Sequence, residues 1–475
     1  MARDLLRIDY VLPDPRPGDK GSGRKAPVPS VTMALLLAQT PQKVNGLPVQ
    51  AKVHVESANG PYDVAASRPD ILCFSMLTTA APRAYEVSRQ ARDCHSQSGG
   101  PIKIVMGGIH PTALPLEALR YADAVVCGET PPELQAEVLD WVASTRDGES
   151  EPRVFRLRGP RPQVLVRPRP DFSWMRPRDY IIPQVLHTSV GCPYNCSFCT
   201  ATRIYGAKMR PVDCDLTERE VAALGPGLVA IVDDNFLAHK PYDHAKRVSE
   251  VLRRHQRQWV AELTAGDLWN HSDLVPLFSS SGCYGVYIGI ESVRQKLPKG
   301  LHPQEYKELV SRCHDNGLLV LGAFVFGIGE DEDEGIFEET VKFAETIALD
   351  FAQFSINTPE PGARDFEHAV RDNLIVDWNW EHYDGAHPVR TFKNISVERM
   401  YKGLRDAYLW FYSLGSMRRR LWPLGSWRQA RAWPYNLYLS GTVRMWLRRS
   451  DPAQERSRAI SAPNDDVLRT FAEQP

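Results

Sequence analysis

Short runs of apolar, largely β-branched residues alternate with amphipathic stretches through most of this 475-residue chain. That alternation restricts the chain to folds in which parallel strands are joined by helical crossovers. Before residue 145, LLRIDYVLP, AKVHVES, DILCFSM, IKIVMGG and DAVVCGE read as strands, while VTMALLLAQT, RAYEVSRQARDC and LEALRYA read as helices. A doubly wound parallel sheet over residues 1–145 is the expectation. Ligands of such sheets bind beyond the carboxyl ends of the strands, which here lead into SMLTT, GGIHPT and GET.

Residues 146–182 are dense in Pro, Arg and Gly and lack periodicity, so they read as a linker or bridging segment. Over 183–374 a second series follows: PQVLHTSVG, GLVAIVDDNF, QWVAELTAG, YGVYIGIES, LLVLGAFVFGIG and DFAQFSINT. These six β-α units predict a partial or complete parallel barrel, with its chemistry at the carboxyl ends of the strands. From 375 to 475 the β signal stops and a mostly helical region is expected, holding seven of the eleven tryptophans. Its last twenty-five residues read as polar and frayed.

Lys plus Arg number 57 against 58 Asp plus Glu, so global charge gives no reason to expect nucleic-acid binding. Nine cysteines, an odd number, follow a start (MARDLLRIDYVLP) with no secretory pattern, which favours a cytoplasmic setting in which clustered cysteines bind metal. No run approaches the ~20 apolar residues of a membrane span.

The most specific motif is GCPYNCSFCT, in which Cys192, Cys196 and Cys199 follow directly on a strand. Three thiolates can hold three irons of a four-iron, four-sulfur cluster and leave the fourth open to a small molecule. A structural zinc site with Cys214 or His187 as fourth ligand, and three unrelated core cysteines, are the alternatives.

The C-x3-C-x2-C spacing at a first barrel strand, with Phe198 before the third cysteine, resembles the radical S-adenosylmethionine (SAM) superfamily. The resemblance implies a cluster whose open iron chelates SAM, one-electron cleavage to a 5′-deoxyadenosyl radical, and an electron donor such as flavodoxin or ferredoxin. It extends to later strands. IVDDN makes Asp233 and Asp234 candidates for the SAM amino group, and GIES makes Glu291 a candidate for its ribose or methionine part. AFVFGIGE resembles the adenine-side pattern through Val325 and Gly327, with Ala323 and Val325 departing from the usual residues. Each also has a structural reading: IVDDN as a strand ending in a helix cap, Glu291 as the partner of a barrel arginine.

A doubly wound, Rossmann-like domain ahead of such a barrel resembles the cobalamin-binding domain of a large subfamily. Gly107, Gly108 and Gly128 allow backbone to approach a large flat ligand, and Ser75, Thr78 and Thr79 can donate to it, with Glu129 beside them. The D-x-H-x-x-G motif that supplies a histidine ligand to cobalt is absent, and His110 in GGIHPT is the nearest histidine. The alternative is a scaffold without ligand.

Between Ala407 and Ser450 stand eight arginines, five tryptophans and no acidic residue. This composition suits peripheral contact with an anionic membrane, an apolar substrate with an anionic group, or a helical cap whose arginines neutralise GEDEDEGIFEE. No nucleic-acid recognition motif accompanies it. The region resembles the extension of hopanoid-associated members, which points to a small, lipid-like or polycyclic substrate. Together these resemblances imply cobalamin-dependent methylation of a carbon centre, one SAM methylating cobalamin and a second generating the radical. A radical cyclase, rearrangement or carbon–carbon coupling enzyme, and a non-enzymatic metal-stabilised binding protein, are the alternatives. No catalytic acid or base is assigned, although Tyr205, Tyr287 and Glu360 fall near strand ends.

Overall fold

The computed structural model describes residues 4–15, 26–145, 151–237, 242–295, 297, 299–422, 427–449, 460, 462–463 and 465–472. The first sheet has the order β2-β3-β1-β4-β5-β6-β7. Its strands are β1 (Leu6–Leu12), β2 (Lys43–Val44), β3 (Leu47–Val55), β4 (Ile71–Ser75), β5 (Lys103–Gly107), β6 (Ala124–Cys127) and β7 (Arg153–Arg156). Only the β2–β3 pair is antiparallel. Along β4, Ile71 and Cys73 face one buried core while Leu72 and Phe74 face another, so helices cover both sides, as the continuous apolar runs require.

β7 lies beyond residue 145, so the sheet runs into the segment read as a linker. RVFR escaped notice because it is short, flanked by prolines and arginines, and buries only Phe155, which meets Trp141 edge to face. The rest of the segment bridges. Asp171 donates its amide to Ala34, and Arg167 forms a bidentate pair with Glu220 on the helix Cys214–Ala222.

The second sheet is parallel throughout, in the order β8-β11-β12-β13-β14-β15. It comprises β8 (Gln184–Leu186), β11 (Val229–Ile231), β12 (Trp259–Leu263), β13 (Cys283–Glu291), β14 (Leu319–Phe326) and β15 (Phe351–Ile356), with a small ribbon, β9 (Ser189–Val190) and β10 (Arg210–Pro211), beside it. β8 and β15 do not pair, so the expected barrel is a partial one, open between its first and last strands.

The helix Val397–Phe411 lies along the free edge of β15. Tyr408 Oη meets the amide and carbonyl of Phe354 at 3.1 and 2.9 Å, and Tyr412 Oη meets those of Ala352 at 3.2 and 2.8 Å. Four residues of helix rise about 6 Å and two of strand nearly the same, so one pair of phenols matches two successive outward-facing positions of an edge strand. The helices Leu414–Leu421 and Trp427–Arg449 follow. Arg420 is buried there, donating to the carbonyls of Leu349, Asp350 and Phe411 and stacking over the Phe411 ring at 3.7 Å. Arg419 pairs with Glu345 and Arg428 with Asp350, so much of the basic run is consumed as a helical cap.

Trp378, Trp380, Tyr383 and Val389 reach back into the core of the first domain. The helix Asp465–Ala472 packs on Pro115–Leu119, with Val467 fully buried and Asp466 paired to Arg120. The expected frayed end is therefore corrected for 465–472, while 450–459 lie outside the described residues. No helix among the described residues is long and apolar enough to cross a membrane.

Candidate two-cofactor site

The cysteine loop leaves β9 through Gly191, whose φ of +92° no side chain would favour; a Cβ there would lie 2.6 Å from the Lys208 carbonyl. Its course is pinned by donors from three directions. Thr202 Oγ1 bonds the carbonyls of Cys192 and Tyr194, Tyr194 Oη donates to Asp267 at 2.7 Å, and Asp365 N donates to Ser197 O at 3.0 Å. Cys192, Cys196 and Cys199 are unpaired and half-buried. Burial pushes all three thiols up, Cys199 to about 11, while the Lys299 ammonium favours their thiolates.

Three thiols, with no fourth protein ligand among the described residues, fit a cluster with one open iron. A single zinc ion fits poorly: among the described residues no three His, Cys, Asp or Glu side chains converge on one ion, and Cys214 is exposed at the start of its helix.

The lumen beneath this loop is charged. Glu291 closes β13 with a left-handed φ of 68°, at a register shift, and its Oε1 lies 2.9 Å from Lys299 Nζ. A non-glycine residue held in that conformation is stored strain of a kind found at functional sites. Lys299 sits 5.9 Å over the Phe198 ring; burial opposes its charge, but Glu291, with Cys196 and Glu262, raises its pKa above the ordinary value. Glu262, on β12 and open to the lumen, is lifted to about 7, first by the desolvating walls around it and then by Glu291 and Asp234, with Lys299 opposing. Neither Lys299 nor Glu262 was singled out from sequence.

The two aspartates of IVDDN separate. Asp233 accepts from Thr188 N at 2.6 Å, Thr188 Oγ1 at 2.5 Å and Ser189 Oγ at 2.6 Å, so its carboxylate ties the second strand to the first. Among the described residues Asp234 accepts only Gly191 N, at 2.8 Å, and burial raises its pKa. Val325 alternates with the core residues Phe324 and Phe326, which places it on the lumen side. Gly327, at φ +86°, begins a turn whose amides converge on Glu332, and a Cβ there would strike the Phe392 ring.

In the first domain, Ser75, Thr78, Thr79, Gly107, Gly108 and Gly128 gather at the carboxyl ends of β4, β5 and β6. Gly108 (φ +102°) passes 2.6 Å from the Met76 backbone, measured from an added Cβ, whereas Gly128 faces open space. Leu77, between Ser75 and Thr78, is 56% exposed. An exposed apolar residue beside open backbone fits a large flat ligand. Two candidates are engaged by protein partners. His110 is fully buried, 3.1 Å from Tyr85 Oη and 3.4 Å from Glu117, whose other oxygen accepts from Trp380 Nε1; it belongs to the joint with the C-terminal region. Glu129 is held by Arg210 and Arg161, so it ties the first domain to the second.

The loop after β15, NTPEPG, joins both halves. A Cβ on Gly362 (φ +91°) would lie 3.2 Å from Ala113 of the first domain and 3.9 Å from Thr200 of the cysteine loop. Burial lifts Glu360 to about 7, with Asp384 adding to the rise; the Thr78 hydroxyl lies close enough to oppose it without completing a well-aligned hydrogen bond.

Fold and site together define an enzyme with a metal-cluster barrel docked to a flat-cofactor domain. Residues 186–344 match the radical SAM superfamily and 62–136 match the B12 binding domain. An uncharacterized methyltransferase of Pyrococcus horikoshii is 31% identical over 372 residues, covering 72% of this chain and 79% of that protein. The bacteriochlorophyllide d C-12(1)-methyltransferase of Chlorobaculum tepidum is 27% identical, covering 74% of this chain and 76% of its own length. The cobalamin-dependent SAM radical enzyme OxsB, solved with aqua-cobalamin and SAM, superposes with a TM-score of 0.62 at 12% identity, over 99% of this chain and 76% of that one. The chain belongs to the radical SAM superfamily, in its cobalamin-binding branch, and its cofactors are a four-iron cluster, SAM and cobalamin.

Proposed function

We propose that this enzyme methylates a carbon centre of a small natural-product or lipid-like substrate held between its two domains. The observation that carries the reading is the course of the NTPEPG loop, where a Cβ at Gly362 would lie 3.2 Å from Ala113 on the cobalamin side and 3.9 Å from Thr200 of the cysteine loop. A substrate lodged beside that loop is within reach of both cofactors.

When bound, the cluster and SAM supply a radical that removes a hydrogen atom, and cobalamin supplies the methyl group. In this reading Cys192, Cys196 and Cys199 hold the cluster. Glu291 with Lys299, Asp234, Glu262, Val325 and Gly327 line the SAM position. Ser75, Thr79, Gly108 and Gly128 face the cobalamin. Glu291 and Lys299 compensate one another, so the lumen can receive a zwitterion without leaving a buried charge unpaired. Asp233, Glu129 and His110 act at one remove by fixing the strands and domains that carry these groups. A diffusible low-potential protein such as flavodoxin or ferredoxin delivers the electron.

The test is anaerobic purification with cobalamin supplied, quantification of iron, sulfide and cobalamin, and incubation with methyl-labelled SAM and reductant. Bound cobalamin that becomes methylated, with S-adenosylhomocysteine released, is the expected outcome. Deoxyadenosine as the sole SAM product, from protein that takes up no cobalamin, overturns the reading.

A further inference from the structure

The helices Leu414–Leu421 and Trp427–Arg449 bury one face each. Met417 and Leu421 on the first, and Ala432, Asn436 and Ser440 on the second, turn inward. The outward faces are not the polar surfaces that amphipathic helices ordinarily present. Leu414 opens the first helix and Trp422 caps its end, with the exposed Arg418 midway between them in sequence. Tyr435, Tyr438 and Met445 fall within about 80° of one another on the second, at ~100° per residue. All five apolar residues are more than half exposed, and Trp410 and Leu437 add to the patch.

The charge on this surface has one sign. Arg419, Arg420 and Arg428 are spent on Glu345, on backbone carbonyls and on Asp350. Arg418 and Arg444 remain exposed and have no carboxylate partner among the described residues, in a stretch without a single Asp or Glu. We propose that this face docks on an anionic lipid surface, its tyrosines and tryptophans at the headgroup level, with Arg418 among its apolar residues and Arg444 at its margin, about 100° round the helix from Met445, reaching lipid phosphates. A second copy fits less well, since a two-fold contact would bring the same unpaired arginines together with no acid to meet them. Neither helix is apolar enough to span, so the chain lies on the surface. This goes beyond the methyl-transfer reading and does not depend on it.

The full chain, purified anaerobically with its cofactors, is sedimented with vesicles of phosphatidylcholine alone and with about a third phosphatidylglycerol. Binding to the anionic vesicles is expected to exceed binding to the neutral ones at least tenfold and to weaken with salt. The triple change Tyr435→Ser, Tyr438→Ser and Met445→Ser, and separately the pair Arg418→Glu and Arg444→Glu, are each expected to lower it at least tenfold. Both should leave far-UV circular dichroism and substrate-free SAM cleavage unchanged. Absence of binding to anionic vesicles, or undiminished binding by both folded variants, overturns the proposal. So does a dimer in light scattering that the triple variant abolishes, which assigns the face to a second copy.

Discussion

Lys299 Nζ lies 2.9 Å from Glu291 Oε1, and the missing side chain of Gly289 is the space in which the pair meets. A Cβ at Gly289 would stand 2.4 Å from that same oxygen. Because the obstacle is the end of a side chain, Gly289→Ala is expected to move the carboxylate without unfolding the barrel. SAM affinity by equilibrium dialysis should fall at least tenfold while iron content stays at the wild-type level. Unchanged affinity would show that the pair takes no part in binding SAM.

The neighbouring aspartates should part company under mutation. Asp233→Ala strands three buried donors, a cost of about 3 kcal/mol or more, and is expected to lower the apparent Tm by several degrees. Asp234→Asn keeps an acceptor for Gly191 N and should leave Tm alone while weakening SAM binding. Differential scanning fluorimetry beside the same dialysis measurement separates them.

Cys196→Ala is expected to abolish the cluster's visible absorbance and all reductive SAM cleavage, read by deoxyadenosine chromatography. Retained cleavage would refute the ligand assignment.

Glu360 gives a pH signature. Its folded pKa, raised mainly by burial to about 7 from 4.5, means that the neutral acid is the form the fold prefers. Its contribution to stability is therefore complete below about pH 4.5 and is lost as pH rises through about 7. Glu360→Gln mimics the neutral acid, so the variant should match the wild type near pH 5 and exceed its apparent Tm by about 2–4 °C near pH 8. A constant difference across that range would place the carboxyl in water.

Tyr408→Phe and Tyr412→Phe each leave an edge amide and carbonyl to find water. A loss of about 1–2 kcal/mol apiece is expected, with increased aggregation on heating, measured by light scattering during thermal ramps.

The parts of this molecule that depend on local spacing were readable from its sequence. Both sheets and the cysteine loop follow from period and motif, and Glu291 was reachable because strand ends of a parallel barrel converge. What escaped depends on partners brought together by the fold. Glu129 reads as a ligand-side acid until Arg210, 81 residues later, folds against it. Asp233 looks equivalent to Asp234 until Thr188 and Ser189 claim its oxygens. Lys299 lies in an aperiodic loop, and Glu262 in WVAEL passes for the polar side of an ordinary strand; only the curl of the sheet turns it toward the lumen. RVFR was lost because a four-residue edge strand carries too little apolar signal to outweigh its flanking prolines.

The two phenols along β15 also decide how the sheet ends. A seventh strand cannot be added at that edge while Tyr408 and Tyr412 occupy the positions its backbone would need. The sheet therefore stays short of closing on β8, and its open side is walled by a helix instead of another strand. A wall made of side chains can be reshaped by substitution without breaking a ladder of backbone hydrogen bonds, a freedom that a closed barrel lacks.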